Sequence, residues 1–254
     1  DDGGEASPTL GYALRANPWA EFNFFHTMRS AFGQDIAPRW PHVALLPHYI
    51  LWNVLPGGRQ FGSGDTDHET NEIPLEQLYT HCAQLRHFFG KTEPSWAALA
   101  ATLQTRLPST YYFLAANPIT PFLLTQASPS APVGWPPANL PKARHFPGLG
   151  QFFLRSGWGD DDTYALFTAG GCTDGISAHR HFDQNGFTIF HKGFLALDSG
   201  TRPEPGSHLF QYFCRTVAHN GLLIRMEGER LPDYWGAVAP GEPVLPIAND
   251  GGMR

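Results

Sequence analysis

The chain has 254 residues, 42% of them hydrophobic and only 16% charged, with a formal net charge of −6. That length and apolar content exclude a disordered chain and allow one large domain or two ordinary ones with real cores. The acidic balance argues against a nucleic-acid partner, whose electrostatic footprint would be basic. No apolar run approaches the roughly 20 residues that cross a bilayer, so no membrane partner is expected. Cys82, Cys172 and Cys214 are an odd number without a CxxC pair, which rules out a disulfide framework.

Residues 1–116 read as helical. Pro18, the apolar series Trp19, Phe22, Phe25, Met28 and Phe32, and then Gly33 predict a helix with its start and stop signals over 19–32. The apolar segment 42–55 contains Pro47, which kinks a helix or marks its start. Leu75, Leu78, Cys82, Leu85 and Phe89 recur at steps of three and four behind Pro74, one face of an amphipathic helix over 75–89. Strong helix formers fill 96–103. Residues 117–147 hold eight prolines, which exclude regular helix and central strand and predict a linker. From 148 to 254 the period becomes that of strands: GQFFLRSGW, YALFTAG, NGFTIF, FLALDSG and NGLLIRM are short and bounded by Gly, Asp and Asn. FTIF-HKG-FLAL predicts a hairpin turning at His191–Gly193. The expected class is α+β multidomain: helices, part of an α/α toroid or a bundle, followed by an antiparallel β-sandwich.

The stretch AHRHFDQNGFTIFHKGFLALDSG, 178–200, concentrates three histidines and two aspartates. His179 and His181, two apart, share a face if the chain is extended. Asp198 is expected to close the FLALD strand and His219 to open AHNGLLIRM, so three neighbouring strands would bring His181, Asp198 and His219 together. Imidazole and carboxylate are ligand types for Zn²⁺ or another divalent transition metal. His191, in the predicted turn, is read as an ordinary polar residue, and His208 lies in a Gly/Pro loop that could face the same cleft. Two other metal folds stay open at this point. A cupin would use the HxH but lacks the expected Glu a few residues on. A non-haem iron oxygenase would use His181, Asp183 and His219 as a facial triad. Neither accounts for the helical half.

Taken in order, GLGQFFLRSGWG, HRHFDQNGF, FLALDSG and RTVAHNGLLI, with GGEASPTLGYAL and PHYILWNVLPGGRQFGSGD upstream, resemble the heparinase II/III-like polysaccharide lyases over roughly 1–70 and 145–235. The resemblance implies an α/α toroid followed by an antiparallel β-sandwich. It implies His181, Asp198 and His219 as ligands of a structural Zn²⁺, His179 facing the substrate and Tyr12 as acid or base. It also points to Tyr212 as a second tyrosine facing the substrate, at a shorter spacing than the family's, with Arg180 and His208 as substrate-binding residues.

The implied reaction is β-elimination on a uronic-acid-containing anionic glycan, with heparin or heparan sulfate ahead of alginate. Such chemistry needs a base within about 3 Å of the C5 proton and stabilisation of the developing enolate. A tyrosine, with an ordinary pKa of about 10, needs nearby positive charge to act as that base, and Arg180 or Arg15 are the candidates. The family's members are usually more than twice this length, so a fragment is expected, whose partners are the missing N-terminal toroid segment or a second copy of itself. The opening DDGGEASPTLGY, loop-like and without Met, fits a processed or excised piece. A periplasmic or secreted location follows from the substrate class. The alternative is a non-catalytic carbohydrate-binding or structural fragment.

Overall fold

The computed structural model describes residues 20–57, 75–106, 140–169, 181, 183–200, 213 and 216–222. The chain divides into two compact units, the first holding the described residues up to Val54 and from 75 to 141, the second holding those from Lys142 onward together with 55–57. They are helical and sheet-forming respectively.

In the first unit, helix α1 spans Ala20–Phe32, two 3₁₀ turns span Ala37–Arg39 and Pro41–Leu45, and α2 (Leu46–Trp52), α3 (Leu75–Phe89) and α4 (Pro94–Arg106) follow. The periodicity over 19–32 and 75–89 thus corresponds to α1 and α3, and Pro47 sits in the first turn of α2, where its missing N–H has no partner to lose. Gly33 ends α1 at φ +64°, a left-handed conformation that suits glycine at a helix C-terminus. Phe22, Phe25, Phe88 and Phe89 are buried and meet edge-on and stacked, Phe25–Phe88 at 5.3 Å and Phe22–Phe88 at 5.9 Å between centroids, so α1 and α3 share an aromatic core. Arg86 on α3 donates to Gln104 Oε1 on α4 at 2.7 Å.

Across the rim of this core, Arg29 donates to His87 Nε2 at 3.1 Å and to Asp35 Oδ2 at 2.7 Å, while its guanidinium lies 4.4 Å from the Phe88 ring centre. His26 lies beside His87 and bonds Gln84 Oε1 at 3.3 Å. A guanidinium only donates, so His87 must present an unprotonated Nε2. Burial, and then the Arg29 charge, hold the His87 pKa below its ordinary value. Burial also lowers that of His26, partly countered by the Gln84 bond.

In the second unit, β1 (Ala143–Phe146), β2 (Gln151–Arg155), β3 (Tyr164–Thr168), β4 (Phe187–Phe190) and β5 (Phe194–Ala196) form one antiparallel meander in the order β1-β2-β3-β4-β5. The sheet therefore begins inside the stretch expected to be linker: although Pro141 and Pro147 bracket it, Ala143–Phe146 pairs in register with Gln151–Leu154, and prolines beside an edge strand remove no ladder bond. The rest of the proline-rich stretch, 117–139, lies outside the described residues. The β4–β5 hairpin turns at His191–Gly193, closed by His191 N–H to Gly193 O at 2.9 Å, with Lys192 at φ +58°. One sheet face buries Phe146, Phe153, Tyr164, Leu166 and Phe190. The other carries Phe152, Leu154, Phe167 and Phe187, the last three 52%, 38% and 43% exposed. His145 stacks on Phe152 there at 3.9 Å.

The two half-buried histidines of the helical unit make its stability acid-sensitive. Their folded pKa values lie below the ordinary 6.5, so the unfolded chain takes up protons first and stability falls as pH drops through about 6.5. Thermal unfolding followed by circular dichroism between about pH 7.5 and 5.5 should show a larger drop for the native chain than for His87→Gln, whose carboxamide accepts from Arg29 without titrating. Equal drops would show that His87 does not supply the effect.

Candidate functional site

The hairpin register assembles the site. In an antiparallel pair the start of one strand lies beside the end of the next. Ile189 pairs with Ala196 and Phe190 with Phe194, with a bulge between them. The residues leading into β4, His181 and Asp183, therefore emerge at the same end as Asp198, two residues past β5, and opposite the His191–Gly193 turn. A turn at Asp183–Gly186 feeds β4: Gly186 N–H donates to Asp183 O at 2.8 Å, and a Cβ on Gly186 would stand 2.6 Å from that oxygen.

The third element is the segment 216–222, a 3₁₀ turn over Thr216–Ala218 followed by His219. His219 Nδ1 contacts Asp198 Oδ1 at 2.6 Å, the distance of a strong charge-assisted hydrogen bond in which the imidazole donates. The His181 and His219 ring centres are 5.4 Å apart at 50°. His181, Asp183, Asp198 and His219 are all buried, 1% to 7% exposed. Burial pushes the Asp183 carboxyl above the usual carboxylate range; the Asp198 charge adds to this, and His219 and His181 oppose it.

Of the residues singled out from the sequence, His181, Asp198 and His219 are thus brought together. They do not come from three neighbouring strands, however. His181 lies before β4, Asp198 two residues beyond the end of β5, and His219 in a bend after the 3₁₀ turn. His191 is exposed at the hairpin turn. Tyr12, His179, Arg180, His208 and Tyr212 lie outside the described residues. Sequence reading placed Asp183 only in the oxygenase alternative. It also passed over Gly200, whose place is set by a contact distant in sequence: a Cβ there would collide with the His219 ring, 2.7 Å from Nδ1, and with Phe213 O at 2.8 Å.

Two buried imidazoles and a buried carboxylate are the donor types of a zinc site. Among the described residues no group of three or more His, Cys, Asp or Glu side chains is placed so as to hold a metal ion. The direct His219–Asp198 bond shows one difference. Donors sharing one tetrahedral zinc stand roughly 3.3 Å apart, whereas this nitrogen and oxygen are 2.6 Å apart. Binding would ask the pair to part by a fraction of an ångström, or His219 to bind through Nε2 while Asp198 holds the ring, as outer carboxylates do for metal-bound imidazoles. The residues fit such an ion in type and burial.

The closeness of Gly200 to the ring gives a direct test. Gly200→Ala should destabilise the protein by about 1–3 kcal/mol, the range for overpacking a filled site, with the His219 ring displaced from Asp198. Urea unfolding reads the first effect and the histidine side-chain NMR signals the second. An unchanged midpoint and unchanged signals would mean the ring does not stand where the structure puts it.

Residues 138–238 match the family model Heparinase II/III-like, C-terminal. No curated protein matches the chain. Among solved structures, a crystal structure of heparinase III is 16% identical with a TM-score of 0.51, covering 87% of this chain and 32% of its own. A second heparinase III is 17% identical with a TM-score of 0.50, covering 87% and 30%. The chain thus spans about a third of the length of these structures, and at such identity the likeness is one of fold. The segment that matches the C-terminal domain of the heparinase II/III-like family, residues 138–238, holds all five strands together with His181, Asp198 and His219.

Proposed function

We propose that the chain is part of a polysaccharide lyase that cleaves a uronic-acid-containing anionic glycan by β-elimination, heparin or heparan sulfate ahead of alginate. The observation that carries this reading is the family match over 138–238, with the buried His181/Asp198/His219 cluster inside it. The finer architecture belongs to the same proposal. The helices of the first unit are part of an α/α toroid, and the sheet is one layer of a β-sandwich. The apolar face bearing Phe152, Leu154, Phe167 and Phe187 supports this, since a sheet face of that character calls for a covering layer.

His181, Asp198 and His219 would hold a Zn²⁺ whose contribution is structural, pinning the start of β4, the end of β5 and the segment 216–222. An elimination needs no metal-activated water, so an ion held in this way is chemically consistent. The reaction removes the C5 proton of the uronate, forms the C4–C5 double bond and expels the 4-linked oxygen. His179 or Tyr12 takes the proton, and a tyrosine, Tyr12 or Tyr212, gives one to the leaving oxygen. Arg180 and His208 bind the anionic substrate, and the carboxylate must be neutralised for the enolate to form. A lyase for so large a substrate acts in the periplasm or outside the cell. The covered share of about a third of the heparinase III structures supports a further part of the site contributed by chain not included here or by a second copy.

The intact protein with a panel of uronate glycans tests this. The expected product is an unsaturated uronate, seen as rising short-ultraviolet absorbance without oxygen or added cosubstrate. His179→Ala should abolish turnover and keep its zinc, whereas His219→Ala should lose zinc and melt at a lower temperature. Glycan retention without the absorbance change would establish the binding-fragment alternative. Oxygen consumption with an iron requirement would overturn the lyase reading.

A further inference from the structure

His219 belongs to no strand, yet its ring is fixed against Asp198. Its segment 216–222 has one short 3₁₀ turn, and the backbone bonds holding His219 within it are local, from His219 N–H to Thr216 O and from Gly221 N–H to His219 O. Such a segment needs anchors elsewhere to hold a ring to a fraction of an ångström. The next residue supplies them. The Asn220 carboxamide nitrogen donates to Leu197 O at 2.8 Å and to Phe187 O at 3.1 Å, and the Asn220 carbonyl accepts the Phe187 N–H at 3.1 Å.

Leu197 adjoins Asp198 and Asn220 adjoins His219, so the Asn220–Leu197 bond runs beside the His219–Asp198 bond as a second rung. A third comes from the far side. Asn185 receives the Leu222 N–H on Oδ1 at 2.6 Å and donates from Nδ2 to Leu222 O at 3.2 Å. It does so from φ +57°, a conformation asparagine tolerates better than most residues. Gly221 leaves room for this approach, since a Cβ there would lie 3.1 Å from Asn185 Oδ1. Ser199 Oγ adds a bond to Ala218 O at 2.6 Å.

We propose that Asn220, backed by Asn185, is the positioning residue that sets His219 against Asp198, and with it the geometry offered to a metal. For the metal this rests on the reading under Proposed function; for the His219 ring it does not. Only a carboxamide does what Asn220 does. Aspartate keeps the shape but has no donor for the two carbonyls, serine can reach only one of them, and alanine reaches neither. Asn220 touches neither the ion nor a substrate in this scheme, and its effect passes through His219.

The experiment uses the native chain, Asn220→Ser and Asn220→Asp, each stripped of metal and titrated with zinc against a chromophoric chelator. In parallel, NMR of the metal-free proteins follows the His219 Nδ1 proton, which a 2.6 Å bond to a carboxylate shifts downfield and shields from exchange. Both Asn220 carboxamide protons of the native chain should exchange slowly. In Asn220→Ser the His219 proton should move upfield and exchange faster, and zinc should bind about 10–100-fold more weakly, the usual range for losing an outer partner of a metal site. Asn220→Asp should do at least as much. A His219 proton signal unchanged in Asn220→Ser, or fast-exchanging carboxamide protons in the native chain, would overturn the proposal whether or not zinc binds. A native chain that takes up no zinc would overturn the metal reading alone, leaving Asn220 to be judged by the proton signal.

Discussion

The buried hydrogen bond between His219 and Asp198 is the constraint around which this half of the molecule is arranged. A polar pair so withdrawn from water interacts strongly when its geometry is good and is costly when it is not. The surroundings are shaped accordingly. Gly200 leaves space for the ring and also donates its N–H to Asp198 Oδ1 at 3.1 Å, so one residue shapes both partners. His181 and Asp183 complete a buried cluster of two imidazoles and two carboxylates in which the Asp183 carboxyl is raised chiefly by burial.

The hairpin β4–β5 decides whether that cluster exists. Side chains alternate between faces along a strand, and a slip by one residue would exchange inward and outward positions. The bulge between the Ile189–Ala196 and Phe190–Phe194 pairs absorbs one residue and sets where β5 ends, hence where Asp198 emerges. The meander before it, β1 to β3, keeps a continuous register from Ala143 to Thr168 and anchors β4 through Tyr164–Phe190 and Phe167–Phe187 pairing. The sheet's inner face is not purely apolar. Arg155 is buried there against Trp158 and Tyr164, its guanidinium 4.2 Å and 5.0 Å from their ring centres, and burial brings its pKa down to about 10. It remains a cation at neutral pH, with the two ring faces against it and the Asp162 charge nearby.

The helix periodicity over 75–89 and the HKG turn were legible because each is written within a few residues: an apolar step of three and four, and a Gly-containing turn between two β-rich runs. The strand β1 was not, because its two flanking prolines mask a segment whose partner lies several residues away. The cluster was legible in membership for His181, Asp198 and His219 and illegible in construction. That Gly200 must lack a side chain, and that Asn185 and Asn220 stand in for backbone pairing, depends on contacts spanning 19 residues for Gly200–His219 and 37 for Asn185–Leu222. No local pattern encodes these. The two NG dipeptides, Asn185-Gly186 and Asn220-Gly221, read as ordinary turn signals; here their asparagines also bond across segments.

The cluster draws its members from loops rather than from the strands themselves. Each member comes from an irregular segment, His181 from the stretch before β4. Asp198 lies one step beyond Leu197, past the end of β5, and His219 after a 3₁₀ turn. An irregular segment by itself fixes a side chain less firmly than a strand does. The combination works because carboxamides tie the irregular segment to the strand ends, so the rigidity of the sheet reaches residues that lie outside it.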